Sequence, residues 1–125
     1  IFYNILHRLS SQNTSCAVIM PAIKYLEHNY QNPNLTNAML AQQCNISEIY
    51  FRKLFAEHYK TTPKQYIIDI RISKAKQLLA DGIYKMNAVS ERCGFSNPYH
   101  FCRVFKKKTG LTPSQYMQQN RIRLP

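Results

Sequence analysis

The chain is short of acid. Against 17 lysines and arginines stand 6 aspartates and glutamates, for a formal charge of +11, and beyond Lys53 the acidic residues are Glu57, Asp69, Asp81 and Glu91 alone. So basic a balance points to a polyanionic partner, with plain solubility as the bland alternative. Metal and disulfide signatures are also missing. The four cysteines, Cys16, Cys44, Cys93 and Cys102, form no CxxC pair and no Cys/His ligand spacing, so neither a zinc site nor a disulfide framework is expected. No metal or cofactor is indicated. No apolar run approaches a membrane span and nothing resembles a signal peptide, which predicts a cytoplasmic protein with no membrane partner. A catalytic pair is absent as well. Of His7, His28, His58 and His100, only His100 lies near a cysteine, Cys102, and at i, i+2 on a helix the two point to different sides. With 125 residues and 45% hydrophobic content, one modest core or two small ones can form, but not a large enzyme cleft. The chain does not read as an enzyme.

What is present is a duplication. Ser47 to Tyr66 reads SEIYFRKLFAEHYKTTPKQY, and fifty positions later Asn97 to Tyr116 reads NPYHFCRVFKKKTGLTPSQY. Phe51, Phe55, Thr62, Pro63, Gln65 and Tyr66 recur as Phe101, Phe105, Thr112, Pro113, Gln115 and Tyr116. Upstream the match continues at a spacing one residue shorter, pairing Leu40, Ala41, Cys44, Asn45, Ile46 and Ser47 with Val89, Ser90, Cys93, Gly94, Phe95 and Ser96. Self-similarity of this kind means one supersecondary unit used twice. Asn45 and Gly94 supply the residue types that tolerate left-handed dihedrals, as a sharp turn between helices requires. Ser47 and Asn97 are the next N-caps, with Pro98 at the first helical position of the second unit.

The pattern predicts an all-α fold of about seven helices: two helix-turn-helix subdomains joined by a long connecting helix. Residues 1–18 read as a short helical stub, Phe2 to Leu9, followed by a polar SSQNTS linker, the tail of an N-terminal domain or a helix folded back on this one. Residues 19–62 form the first subdomain, opening with a helix from Met20 to Tyr30 in whose first turn Pro21 sits. The connecting helix spans 63–82, capped by Thr62 and Pro63 and stopped by Gly82. At 1.5 Å per residue it measures roughly 28 Å, close to the roughly 34 Å between successive major-groove faces of B-DNA. The second subdomain takes 83–121, and 122–125 are a basic tail.

In the third segment of the first unit, Phe51, Leu54, Phe55 and Tyr59 line one face and leave Ile49, Arg52, Lys53 and Ala56 opposite. In the second, Phe101, Val104 and Phe105 face inward, and Tyr99, Cys102, Arg103 and Lys106 outward. A helix held by its back with a basic front is what a DNA-reading helix looks like. Lys106 and Lys107 continue the helix toward phosphate, and the caps Ser47 and Asn97 mark anion-binding helix starts.

The motifs LAQQCNISEIYFRKLF, TPKQYIIDIRISKAKQLL and CGFSNPYHFCRVFKKKTGLTPSQY resemble the DNA-binding domain of the AraC/XylS family of bacterial transcription regulators, over about Met20 to Gln119. The resemblance implies sequence-specific promoter binding, usually for activation. Ile49, Arg52 and Lys53, then Tyr99, Cys102 and Arg103, would face adjacent major-groove segments. It also implies RNA polymerase as a further partner, and oligomerisation through an N-terminal domain. Three departures stand out: Ser90 where the family commonly has Ala, Lys85 where a capping Ser or Asp is usual, and Met117 where Arg is common. A helical protein-interaction module, docking through Tyr50, Tyr99 and the N-terminal stub, is the alternative. It leaves Arg52, Lys53, Arg103 and Lys106 to Lys108 without a role. RNA is disfavoured, since no sheet bearing stacking aromatics is in view.

Overall fold

Each copy of the repeat is built on two phenylalanines one helical turn apart. The ring centroids of Phe51 and Phe55 lie 5.8 Å apart, and those of Phe101 and Phe105 also 5.8 Å. In both copies a tyrosine from the following helix meets the second ring edge-on: Tyr66 against Phe55 at 5.3 Å and 84°, Tyr116 against Phe105 at 5.5 Å and 77°. Pairs in this geometry add about 0.5–1.5 kcal/mol beyond the area they bury. The recurring residues of the sequence are thus the ones that touch.

The structure is a computed structural model that describes the backbone of residues 2–123 and the side chains of residues 16–120. Among the described residues the elements are seven helices: α1 (Phe2–Asn29), α2 (Asn37–Gln43), α3 (Glu48–Tyr59), α4 (Pro63–Asp81), α5 (Met86–Arg92), α6 (Pro98–Thr109) and α7 (Pro113–Arg123). The all-α architecture with paired helix-turn-helix units, α2–α3 and α5–α6, agrees with the sequence reading. The N-terminal stretch does not. The stub and linker expected over residues 1–18 are the first part of a single helix, α1, which runs through SSQNTS and past Pro21. The stretch from Phe2 to Met20 holds no Gly or Pro, and Ser, Asn and Thr each disfavour a helix by only about 0.5 kcal/mol relative to Ala. Pro21 sits inside the helix rather than in its first turn. It cannot donate to the carbonyl of Ala17, and both residues are exposed, which leaves that carbonyl to water. At the other end α7 continues to Arg123, so helix replaces the first two residues of the expected tail, and residues 124–125 lie outside the described residues.

The chain divides into two compact units. The first comprises residues 1–29 and 34–67, the second residues 30–33 and 68–125. The first core gathers Ile19, Ala22, Ile23 and Leu26 of α1, Leu40 and Ala41 of α2, Phe51, Leu54 and Phe55 of α3, and Ile67 of α4. In the second core Ile72, Ala75 and Leu79 of α4 take the place that α1 holds in the first. They pack with Val89 and Cys93 at the end of α5, then Phe95, Phe101 and Phe105. The boundary therefore falls inside α4, between Ile67 and Ile68, rather than at either end of the connecting helix. Burial pushes the Cys93 thiol up to about 11, so at neutral pH it is a small protonated apolar group, as its position in the repeat suggested.

Residues 30–33 belong to the second unit because Arg71 holds them there. Its Nε donates to the Tyr30 carbonyl at 2.9 Å and its Nη2 to the Asn32 carbonyl at 2.9 Å, while the guanidinium lies 5.8 Å from the centre of the Phe95 ring. Desolvation lowers its pKa from the usual value. Gly94 makes the approach possible. With φ at +92° a Cβ there would collide with the Tyr30 carbonyl and lie 2.9 Å from Arg71 Nε.

Candidate nucleic-acid interface

The two exposed helices of the repeat, α3 and α6, are presented in the same way. Each follows a turn whose last residue is left-handed: Asn45 with φ 57° after α2, Gly94 with φ 92° after α5. Each is capped by a side chain from an extended residue. Ser47 Oγ accepts from the Tyr50 N–H at 3.1 Å, and Asn97 Oδ1 accepts from the N–H groups of Tyr99 at 2.8 Å and His100 at 3.4 Å. Such caps contribute about 0.5–2 kcal/mol each and fix where the first turn begins. Both helices are twelve residues long and end on a left-handed residue, Lys60 for α3 and Gly110 for α6. Both also rest on their buried Phe pair. What faces away from the core is then set by the helical period of about 100° per residue.

On α3 the front consists of Ile49, Lys53 and Ala56 with Arg52 beside them, all exposed. On α6 it consists of Tyr99, Arg103 and Lys106, with Lys107 following, again exposed. Ile49 and Tyr99 are the extreme cases among large apolar side chains on these helices, 74% and 79% exposed, at equivalent repeat positions. The α6 sequence contains no acidic residue, so nothing on the helix offsets Arg103, Lys106 and Lys107.

One residue departs from the expected front. Cys102 is half-buried and packs against the second core rather than standing on the exposed face. It sits about 80° from the middle of the Phe101–Phe105 face, on the flank of the helix. At the equivalent position in α3, Arg52 has a side chain long enough to reach solvent from that flank; a thiol has not. Val104, expected to face inward, is half-buried and touches the same core.

One feature of the surface that sequence reasoning misses is an ion pair. Lys108 is drawn aside by Asp69 of α4, Nζ to Oδ1 3.0 Å, which separates it from Lys106 and Lys107 although the three are consecutive. Tyr50 and His100, equivalent to each other and both exposed, flank Ile49 and Tyr99; their place one residue along the repeat was the available signal. At the start of α5, Lys85 occupies the N-cap position with no side-chain cap hydrogen bond. Ser90 is 2% exposed, and its Oγ has no hydrogen-bond partner. These are two of the three positions where the sequence departs from the pattern it resembles.

Comparison with known proteins agrees with this geometry. Residues 40–119 match a family model described as a helix-turn-helix domain. The transcriptional regulator YpdC of Escherichia coli K12, whose own role is uncharacterised, is 37% identical over 92 residues, 74% of this chain and 32% of that protein. The transcriptional activator AggR of Escherichia coli is 39% identical over 82 residues, 66% of this chain and 31% of that protein. The chain thus spans about a third of the length of these curated relatives. Among solved structures, the DNA-binding domain of the global transcriptional factor AdpA in complex with a target DNA superposes with a TM-score of 0.79 at 27% identity, covering 86% of this chain and 96% of that one. The duplicated, capped helix-turn-helix units and the match over residues 40–119 place the chain in the AraC-type family of helix-turn-helix transcription regulators, to which it belongs.

Proposed function

We propose that this chain binds double-stranded promoter DNA sequence-specifically, with α3 and α6 each reading a segment of major groove. The observation that carries the reading is the paired presentation of α3 and α6: each is held by two buried phenylalanines, capped by Ser47 or Asn97, and turned outward with a basic front. Ile49, Arg52 and Lys53 on α3, and Tyr99 and Arg103 on α6, are assigned to base edges, with Cys102 at the margin of the second set. Ser47, Asn97, Lys106 and Lys107 are assigned to phosphate. A helix N-terminus suits an anion, and at α6, where Pro98 has no N–H and the N–H groups of Tyr99 and His100 already donate to Asn97 Oδ1, that contact falls to the Asn97 side-chain amide.

The same reading makes the parent protein a cytoplasmic regulator that activates transcription beside RNA polymerase. The name of AggR supports activation, and the family supports a regulatory rather than an enzymatic role. Among the described residues no helix is long and apolar enough to cross a membrane. Oligomerisation is assigned to parts of the regulator outside this chain, which spans about a third of its relatives.

Selection of bound sequences from a random duplex pool, followed by gel shift with the selected and a scrambled duplex, tests the reading. Enrichment of a defined site, bound at least about a thousandfold more tightly than the scrambled duplex, is expected. No enrichment, or equal binding to both duplexes, contradicts it.

A further inference from the structure

The duplication places a large apolar side chain at the second residue of both α3 and α6, Ile49 and Tyr99, and leaves both standing in solvent, 74% and 79% exposed. Elsewhere on these two helices the phenylalanines that recur in the repeat, Phe51, Phe55, Phe101 and Phe105, are fully buried. The exposure is therefore a repeated feature of the front and not a stray position. From it, and resting on the DNA-binding reading above, we infer that Ile49 is a specificity residue that reads thymine through its C5-methyl group.

The argument is one of elimination by chemistry. Ile49 has no donor or acceptor in its side chain, so it gains nothing from phosphate and nothing from the polar edges of guanine, cytosine or adenine. In the major groove the thymine methyl is the apolar feature on offer. Opposing Ile49 with a cytosine amino group or a guanine carbonyl would strip water from a polar group without replacing its hydrogen bond. Its position supports the assignment. The N-terminal residues of a reading helix are the ones that reach base edges, and Ile49 follows the Ser47 cap by two residues, with exposed Arg52 and Lys53 one turn further on to hold the duplex. Tyr99 has a hydroxyl and can take more than one kind of partner, so the equivalent position of α6 carries no such restriction to thymine.

The test removes one methyl group at a time. In the duplex selected by the intact chain, each thymine is replaced in turn by deoxyuridine, and binding is measured for the wild type and for Ile49→Ala. At one or two positions deoxyuridine should weaken the wild type about fourfold, the effect of withdrawing one methyl from an apolar contact, and leave Ile49→Ala indifferent to the change. Because Ile49 is exposed, the variant should keep its fold, and circular dichroism checks that it does. A selected duplex in which every deoxyuridine replacement acts equally on the wild type and on Ile49→Ala overturns the inference while leaving DNA binding intact. Failure to select any duplex overturns both readings together.

Discussion

Arg103 stands on the front of α6 with no acidic residue on its own helix, so its guanidinium is free to donate two hydrogen bonds to the O6 and N7 edge of a guanine. A bidentate contact of that kind is worth about 1–3 kcal/mol of discrimination. Arg103→Ala should flatten preference at one or two positions of the selected site; an unchanged selection profile would remove Arg103 from the reading set. The lysines that follow divide by their partners. Lys106→Ala and Lys107→Ala should weaken all sequences alike and lower the slope of log affinity against log salt by about one each. Lys108, tied to Asp69 at 3.0 Å, should change the slope less. Equal losses at all three lysines would mean that DNA binding breaks the Lys108–Asp69 pair. That pair is invisible in the sequence because its partners lie 39 positions apart, from 69 to 108.

At the scale of elements, α5 carries two defects that substitution should repair. Lys85 sits at its N-cap with no side-chain bond, whereas Thr36 at the equivalent start of α2 accepts from the Met39 N–H at 3.2 Å. Lys85→Ser should raise stability by about 0.5–2 kcal/mol. Ser90→Ala removes a buried hydroxyl that lacks a partner, and should raise stability by about 1–3 kcal/mol. Thermal melts read both; a lowered melting temperature in Ser90→Ala would show that the hydroxyl is satisfied after all. Gly94→Ala should act the other way. It forces a side chain into a left-handed position at a cost of about 1–2 kcal/mol, and drives the new Cβ into the Tyr30 carbonyl. A melt within error of the wild type would contradict the close approach. Much of this scale was legible in advance. The caps, the two left-handed turns and the Phe faces are local matters of residue type and spacing, and the repeat shows each of them twice. The length of α1 was not legible, because the polar run SSQNTS only weakly disfavours helix and nothing within it forbids one. Nor was the grip of Arg71 on residues 30–33, which joins groups about 40 positions apart. The half-burial of Cys102 turns on side-chain length at the flank of a helix, where Arg52 and a cysteine behave differently in the same repeat position.

For the whole molecule, the decisive property is that its two reading helices are related by duplication within one chain and carry different fronts. Ile49, Arg52 and Lys53 offer one apolar group and two cations, whereas Tyr99 and Arg103 offer an aromatic and one cation, with Cys102 half-withdrawn. Palindromic sites reflect a two-fold axis between identical subunits, and a head-to-tail repeat has none. One copy of the chain should therefore occupy an asymmetric site made of two unlike half-contacts. Footprinting of the chain on its selected duplex, with stoichiometry measured on the same complex, tests this most directly. The account predicts one protein per site and protection of two adjacent segments of different sequence; a palindromic site protected symmetrically by a single copy would contradict it.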